Sequence, residues 1–562
     1  MGASFEVRAS VFCSVLASLL LLGGLARAQP FAGGTGGAGD PYQIATAEQL
    51  TAIGGDPDLL DKCFMLVADI DLDPNLPGGR VFEAAPIAPD ILDANGVDMP
   101  GVPFTGSFDG RGHVIRNLVI SAPTRYAVGL FGRIGIGDVG KWGKPGVVQN
   151  VHLEGVTIDG HESVGALAGV NGGTILNCSA NGSITGERDY IGGLVGYNTG
   201  TITLSHTAGS VHGHDDIGGL VGSNPTGVIT QCSSASLPGG SESVGGLVGG
   251  SSGHIAACSS TGIVVGGRHV GGLVAGNGGS IVSSYTTGDT RSGEMTGGLV
   301  AGNSGPIYDC HAYGDVEGAE WTGGLIGINS GSVTECSASG NVLGSEDTGG
   351  LIGSNSGTVT KSHATGMVDT ASRGDYVGGL VGSNDGTIAD SYATGATNGS
   401  EEVGGLTGRN AGVIVQCYAS GDAASVEQVG GLVGDNQGHV EACYATGNVS
   451  NTDEYAGGLV GYNAGSIAAC YAVGRIQVTG YEDVGGLAGN VSSTGSVDSS
   501  FWDVDTTGFA QSEGGTGLPT AALQTAQTYL DAGWDFVSTW MICEGTDYPR
   551  LLWEQRSCDE DN

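Results

Sequence analysis

The sequence predicts an all-β fold: a right-handed parallel β-helix, or β-solenoid, with irregular N- and C-terminal caps. A segment close to V-G-G-L-V-G-x-N-x-G-x-I-x-x-C-Y-A-T-G-x-V recurs thirteen times, and its central leucines are 26 to 29 residues apart. Such a period is typical of repeat proteins, in which each unit buries its apolar face only against its neighbours. Within each unit, short β-branched runs bounded by glycine indicate strands, and there is no 3.6-residue apolar stripe. The central leucines are Leu167, Leu194, Leu220, Leu247, Leu273, Leu299, Leu325, Leu351, Leu380, Leu406, Leu432, Leu459 and Leu487.

The composition excludes several classes of protein and partner. Glycine accounts for 109 of the 562 residues, but without a Gly-X-Y period, so the chain is not a collagen. A hydrophobic share of 39% argues against disorder. The net charge of −39 opposes nucleic acid and anionic membrane as partners, since both require basic surface.

Residues 1–28 have the pattern of a secretion signal. An apolar core from Val11 to Leu25 is followed by Ala26-Arg27-Ala28, a small-x-small cleavage pattern. No later stretch is apolar enough to span a bilayer. The sequence therefore predicts a secreted protein, extracellular or at the cell surface, without a membrane span.

Residues 29–125 are predicted to form an N-terminal cap and irregular coils, because their pattern differs from the repeats. Thr46 followed by Gln49 indicates the capped start of a helix. Phe64 to Leu72 is predicted to be a strand that leads into an acidic turn. An atypical segment is expected at this position, since the end of a solenoid exposes unpaired backbone and apolar side chains.

Residues 126–500 are predicted to form the solenoid repeats, one coil of two or three short strands per unit, stacked in parallel at about 4.8 Å. Asparagine stands four residues after the leucine in eleven of the thirteen units. Stacked amides can hydrogen-bond from coil to coil, so this column predicts an asparagine ladder, with ligand binding as the less favoured alternative. The eleven are Asn171, Asn198, Asn224, Asn277, Asn303, Asn329, Asn355, Asn384, Asn410, Asn436 and Asn463.

Eight of the twelve cysteines occupy one repeat position, which holds serine in other units. This exchange indicates a small buried slot, and we expect free thiols there, with disulfides between coils as the alternative. The serines assigned to the slot include Ser205, Ser284, Ser362, Ser391 and Ser499. Cys543 and Cys558 are better disulfide candidates, since they lie in an irregular segment of a predicted secreted chain.

Residues 501–562 are predicted to form an aromatic C-terminal cap. Four of the six tryptophans follow residue 500, and large aromatic side chains could seal the last coil. A short helix is expected over 519–530. A sugar-binding aromatic platform is the alternative interpretation of these residues.

One column, five residues before each leucine, is acidic in twelve of thirteen units and is the candidate site for metal. In register, these carboxylates would run along one edge of the rod. The favoured interpretation is a solvated edge that keeps rods from aggregating. The alternative is a ladder of divalent cations, for which calcium suits the hard oxygen ligands, although the Ca²⁺-binding nonapeptide is absent. The acidic residues are Glu162, Asp189, Asp215, Glu242, Glu294, Glu320, Glu346, Asp375, Glu401, Glu427, Glu454 and Glu482, and Arg268 takes the remaining place.

Tyrosine or histidine recurs twelve residues after the leucine, next to the cysteine slot. An outward-facing strip of this kind could bind sugar rings or a partner protein, but stacking between coils is the favoured interpretation. The members are Tyr285, Tyr392, Tyr418, Tyr444, Tyr471, His206, His311 and His363.

No catalytic or cofactor-binding constellation is found, so the chain is predicted not to be an enzyme. It has no metalloprotease spacing after His161-Glu162, no G-x-S-x-G elbow and no phosphate loop. A β-helix lyase or hydrolase of acidic polysaccharides is the enzyme alternative. Such enzymes need an acidic cluster with Lys or Arg on one face, whereas basic residues are sparse in this chain.

The string Val-Gly-Gly-Leu-Val-Gly-x-Asn at 429–436 resembles the GLUG-motif repeat family of secreted and surface bacterial proteins. The resemblance covers about 330 residues, and the segments around Asp40–Ile44, Gly533–Phe536 and Tyr548–Pro549 are similar to those that flank such arrays. It implies a β-solenoid and an adhesin-like or cell-surface role, with no catalytic residue in the repeat. The sequence thus predicts a non-enzymatic surface or matrix protein that adheres to a polysaccharide or cell surface. A calcium-stabilised structural rod is the other alternative.

Overall fold

The computed structural model describes residues 31–92, 98–135, 145–451, 453–479, 483–555 and 558. The protein is a parallel β-solenoid of about 17 turns, which confirms the predicted fold class. Each turn passes through three sheets. In one coil, Val195–Asn198 belongs to sheet 1, Thr201–Thr203 to sheet 2, and His206–His212 with Asp215–Gly218 to sheet 3. The predicted secretion signal lies outside the described residues.

In the described residues, sheet 1 contains fourteen parallel strands, each of which follows the Gly-Gly-Leu segment or its equivalent. In the strand Val195–Asn198, Val195 and Asn198 are buried while Tyr197 lies on the outer face. The strands are Phe131–Gly135, Ala168–Gly172, Val195–Asn198, Val221–Asn224, Val248–Ser251, Val274–Asn277, Val300–Asn303, Ile326–Asn329, Ile352–Asn355, Val381–Asn384, Thr407–Asn410, Val433–Asn436, Val460–Asn463 and Ala488–Val491.

Seventeen strands of the described part of the chain form sheet 2, the first of them, Tyr42–Ile44, well before the regular repeats. The middle residue of each three-residue repeat strand points inward, as in the register of Ile202 with Ile229. The strands are Tyr42–Ile44, Cys63–Leu66, Ser107–Asp109, Val147–Gln149, Thr174–Leu176, Thr201–Thr203, Val228–Thr230, His254–Ala256, Ser280–Val282, Pro306–Tyr308, Ser332–Thr334, Thr358–Thr360, Thr387–Ala389, Val413–Val415, His439–Glu441, Ser466–Ala468 and Ser496–Asp498.

Sheet 3 collects the remaining strands of the coils. In its longer strands the chain stays extended through much of one side of the coil, and elsewhere two- to four-residue strands alternate with bends. The longer strands are Val119–Val128, His152–Gly165, Ser179–Gly186, His206–His212, Ser233–Gly240, Val342–Gly349 and Val368–Gly378. Two antiparallel pairs of strands lie outside the three sheets: Ile91–Leu92 with Asp98–Met99, and Trp540–Met541 with Arg550–Leu551.

The core is a continuous stack of Leu, Ile and Val, and the repeat leucines are fully buried. Burial of one such side chain stabilises the folded state by about 1.5–3 kcal/mol. The two glycines before each leucine permit close backbone contact. A Cβ on Gly192 would lie 2.0 Å from the carbonyl oxygen of Val195, and one on Gly193 would lie 2.2 Å from that of Gly219 in the next coil.

The asparagine column forms the predicted ladder. From Asn277 to Asn463, each amide Nδ2 donates to Oδ1 of the asparagine in the next coil at 2.7–2.8 Å. Most Nδ2 groups also donate to a glycine carbonyl two residues on, as Asn303 does to Gly305. These contacts confirm that the amides hydrogen-bond to each other from coil to coil. The ladder is interrupted where Ser251 replaces asparagine.

The cysteine slot holds eight buried free thiols, as predicted. In the slot, the cysteine sulfur or serine hydroxyl accepts a hydrogen bond from the backbone N–H of the slot residue in the preceding coil. The Cys443 sulfur lies 3.4 Å from Cys417 N, and the Ser205 hydroxyl lies 3.1 Å from Cys178 N. Both groups can accept and donate, which explains why the two residues interchange. The assignment of Ser499 is wrong. Ser500 fills the slot, because the last coil has a longer turn around 492–495.

At the N-terminal end, the predicted helix is Ala47–Ala52. Thr46 Oγ1 accepts from Gln49 N at 3.3 Å, and Gln49 Oε1 accepts from Ala45 N at 2.8 Å, which confirms the predicted cap. The 3₁₀ turns Ile53–Gly55 and Pro57–Leu59 follow.

At the C-terminal end, Trp502 packs against the solenoid core and is 5% exposed. The helix Val504–Thr507 follows. The segment predicted as one helix contains two, Thr520–Leu523 and Ala526–Asp531, because Thr525 is extended. The 3₁₀ turn Leu552–Glu554 is the last regular element of the described residues. Cys543 and Cys558 form the predicted disulfide, with their Cα atoms 5.5 Å apart.

Candidate functional site

The acidic column lies within or just before strands of sheet 3, and two of its neighbouring pairs are in direct register: Asp189 with Asp215, and Glu346 with Asp375. The column therefore forms the predicted edge in these coils. Arg268, the basic member, lies between two carboxylates, 3.5 Å from Glu242 and 2.9 Å from Glu294. Glu482 lies outside the described residues.

The acidic edge is partly exposed to solvent. The side chains of Asp189, Glu242 and Glu294 keep 31–39% of their surface. At Glu162, burial and the nearby Asp189 raise the pKa. Among the residues that the structure describes, no three His, Cys, Asp or Glu side chains form a group that could hold a metal ion. The calcium ladder stays a prediction.

The next column inward, one residue after the acidic edge, folds onto the outer face of sheet 1. Asp216, Asp347 and Glu402 are partly buried there. Asp216 and Asp347 have left-handed backbone (φ 49° and 38°), which turns the chain between sheets 3 and 1. Burial raises the pKa of Asp216 and Asp347 to about 6, and that of Glu402 to about 7.

Aromatic side chains lie on this same face. Tyr190 meets Tyr197 edge to face at 5.4 Å between ring centroids, and Tyr455 meets Tyr462 at 5.8 Å. Trp321 lies between these pairs and is partly buried. The outer face of sheet 1 thus presents aromatic surface together with poorly solvated carboxylates. We call it the sheet 1 face.

A groove of about 550 Å³ crosses the sheet 1 face. Its floor is Gly250, Gly276 and Gly302, which are consecutive partners in the sheet register. Asp216 lines the groove together with Met295. A Cβ placed on Gly276 would meet no atom within 4 Å, so the depression exists because these positions have no side chains. We call it the glycine groove.

The tyrosine strip differs from the prediction that it faces solvent. Tyr392, Tyr418, Tyr444 and Tyr471 stack face to face at 4.9–5.1 Å, which confirms the predicted stacking between coils. The C-terminal residues cover them. Tyr471 is 1% exposed, and Trp553 stacks on Tyr418 at 5.9 Å.

Hydrogen bonds fix this cover. Tyr471 donates to the carbonyl of Pro549 at 2.6 Å, and the indole of Trp553 donates to the carbonyl of Gln416 at 2.9 Å. Tyr285 is the uncovered tyrosine member of the strip, with 44% of its surface exposed. The C-terminal segment therefore follows the side of the rod instead of only closing its end.

Sequence reasoning missed the sheet 1 face. Only the acidic edge and the tyrosine strip are predicted to face solvent, because their residue types recur. The outer positions of sheet 1 carry no repeated type: Tyr197, Gly250 and Arg409 occupy equivalent places. Their fixed place, two residues after the buried valine and directly before the buried asparagine, is the signal that could have identified them.

No helix in the described part of the chain is long and apolar enough to cross a membrane.

Comparison with known proteins supports the repeat assignment. The GLUG motif matches residues 374–398, 425–450 and 452–479, which confirms the resemblance to the GLUG-repeat family. The chain is 33% identical over 157 residues to halomucin from Haloquadratum walsbyi, and 43% identical over 76 residues to a proposed Gly-rich membrane protein from Evansella cellulosilytica. These alignments cover 27% and 13% of this chain, and only 2% and 9% of the relatives.

A solved structure of a proposed immunoglobulin A1 protease from Bacteroides ovatus aligns with 93% of this chain and 96% of its own. The sequence identity is 17% and the TM-score is 0.17.

Proposed function

We propose that this protein is a non-enzymatic extracellular or surface rod that adheres to a polysaccharide through the sheet 1 face. The observation that carries the proposal is the combination on one face of Trp321, the two tyrosine pairs, partly buried carboxylates and the glycine groove. Aromatic rings offer flat apolar surface, and desolvated polar groups give direction to hydrogen bonds. An extended row of such sites suits a long repetitive ligand.

The location follows from the same proposal. One of the two relatives carries the name of a membrane protein, and the repeats match a motif that resembles those of surface proteins. The surface is acidic overall, with 58 Asp and Glu against 19 Lys and Arg. Such a charge favours solubility and opposes binding to polyanions.

A glycan array with the purified chain tests adhesion. We expect binding to a subset of polysaccharides. Trp321 and Tyr376 each directly follow a residue of the acidic edge, in the same column as Asp216 beside sheet 1, and both are partly buried. We therefore expect the double variant Trp321→Ala/Tyr376→Ala to bind at least about tenfold more weakly. The matched control is Tyr285→Ala/Tyr313→Ala, which removes two exposed rings from another side. Absence of binding to any glycan or cell surface, or equal loss in both double variants, would contradict the proposal.

The polysaccharides that bind also test the alternative that the protein is an enzyme. Each bound polysaccharide is incubated with the chain, and new reducing ends and unsaturated products are measured. We expect neither. Fragment release that persists through purification would favour the polysaccharide-degrading alternative.

A further inference from the structure

The glycine groove is a place where the regular repeat is interrupted on its outer face. Gly250, Gly276 and Gly302 remove the outward side chains of three consecutive rungs. The flanking rungs carry Ser223 and Ile328 at the same position. At about 4.8 Å per rung, the floor is roughly 10 Å long, which suits two units of a linear glycan.

A second, independent irregularity lies in the wall of the groove. Ser251 replaces asparagine in the ladder, and its hydroxyl accepts from Asn224 Nδ2 at 3.1 Å. Ser251 donates back to the carbonyl of Asn224, so Oδ1 of Asn277 receives no hydrogen bond from it. Asn277 lines the groove, is 3% exposed, and its Oδ1 has no partner among the described residues. This atom has almost no accessible surface, so a ligand in the groove cannot pair with it, and the choice of ligand rests on the charge of the lining.

The charge of the groove lining determines which charge a ligand should have. Asp216 is the charged residue of the lining, and no Lys, Arg or His of the described chain contributes to it. Burial of the Asp216 carboxylate reduces the screening of its charge by solvent. An anionic sugar would meet this carboxylate unpaired. A cationic one would neutralise it.

We infer that the glycine groove binds a short stretch of a glycan built of amino sugars with free ammonium groups, and that Asp216 pairs with one ammonium. This inference rests on the proposed function, because it names the ligand class for one part of the sheet 1 face. The apolar side chains of Met295 and Ile328 contact the sugar ring faces. The glycine floor lets the chain of sugars lie flat.

Calorimetry with the full chain tests this inference, with the β-1,4 glucosamine tetramer as the probe. We expect it to bind at least about tenfold more tightly than the N-acetylglucosamine tetramer, and the galacturonate tetramer not to bind. Asp216→Asn should reduce the affinity for the glucosamine tetramer at least about tenfold. Gly276→Val should do the same by filling the floor, and the open space around Gly276 lets the variant fold.

Two matched controls accompany these variants. Asp390→Asn removes another partly buried carboxylate with left-handed backbone, on a different corner of the coil, and Thr387→Val adds a β-branched apolar residue to sheet 2. Both should bind as the wild type does, and melting curves report folding of all four variants. If Asp216→Asn does not fold, Gly276→Val decides alone.

Equal binding of the glucosamine and N-acetylglucosamine tetramers, or an affinity unchanged in Gly276→Val, would overturn the inference. Equal loss in Asp390→Asn would assign binding to overall charge instead. If the array finds a glycan that depends on Trp321 and Tyr376 while the glucosamine tetramer does not bind, adhesion stands and this inference fails. If no glycan binds, both fail.

Discussion

At the scale of single residues, the sheet 1 face contains a carboxylate whose ionisation opposes folding. Burial, and next the adjacent Asp435, raise the pKa of Glu402 to about 7. A carboxyl group with a raised pKa in the folded state binds its proton more tightly there. The stability it provides is therefore present at low pH and is lost as the pH rises through about 7.

We therefore predict that Glu402→Gln raises the free energy of unfolding at pH 8 by about 1 kcal/mol, a value discounted for the partial exposure of the group. At about pH 4.5, near the ordinary pKa of a glutamate, the variant should match the wild type. Thermal or urea unfolding at both pH values measures this difference. Glu320→Gln, an exposed member of the acidic edge, is the control and should change stability little at either pH. A stabilisation that is independent of pH would contradict a role for the buried charge.

The cysteine slot gives a second prediction for a single residue. The Cys443 sulfur accepts from Cys417 N at 3.4 Å and donates to the carbonyl of Glu441 at 3.1 Å. Serine makes the same pair of bonds in other coils, as Ser362 does at 3.1 and 2.8 Å. Cys443→Ser should thus cost less than about 1 kcal/mol, whereas Cys443→Ala leaves a buried N–H unpaired and should cost about 1–3 kcal/mol. Equal losses in urea unfolding would show that the slot only fills space.

At the scale of elements, the sequence was informative where residue types repeat. The Gly-Gly-Leu segment, the asparagine ladder and the cysteine slot each restrict most coils to one or two residue types, so one register predicts them all. The outer positions of sheet 1 are under no such constraint and vary from Tyr197 to Gly250. The path of the C-terminal segment depends on contacts with residues far earlier in the chain, such as Tyr471 with Pro549. A periodic pattern contains no signal for such a contact.

The C-terminal segment makes the tyrosine strip part of a second core. Trp534, Trp540 and Leu551 are buried with Tyr471 in one cluster. We predict that Tyr471→Ala lowers the free energy of unfolding by about 3–5 kcal/mol, because it opens a cavity and removes the bond to Pro549. Tyr285→Ala, at the equivalent but exposed position, should change it by less than about 0.5 kcal/mol. Similar losses in denaturant unfolding would mean that the C-terminal segment does not cover the strip.

At the scale of the whole molecule, the coils stack carboxylates along one edge of a rod with net charge −39. Asp189 faces Asp215 in register, and neighbouring unit charges about 5 Å apart repel by roughly 1 kcal/mol in water. Arg268 offsets this repulsion where it lies between Glu242 and Glu294. The edge should therefore limit stability at low ionic strength, and salt should relieve it.

Melting curves distinguish the solvated edge from the calcium ladder. We predict that Tm rises with added NaCl, and that CaCl₂ at matched ionic strength adds nothing further, since the edge is partly exposed and its carboxylates form no group of three ligands in the described residues. The variant Arg268→Glu makes the column continuously acidic and should have a lower Tm at low salt that high salt restores. Arg291→Glu, which removes an exposed arginine that pairs with Asp289 and Glu317, is the control for loss of a surface ion pair. A rise in Tm specific to calcium, larger still in Arg268→Glu, would instead establish the edge as a cation-binding ladder.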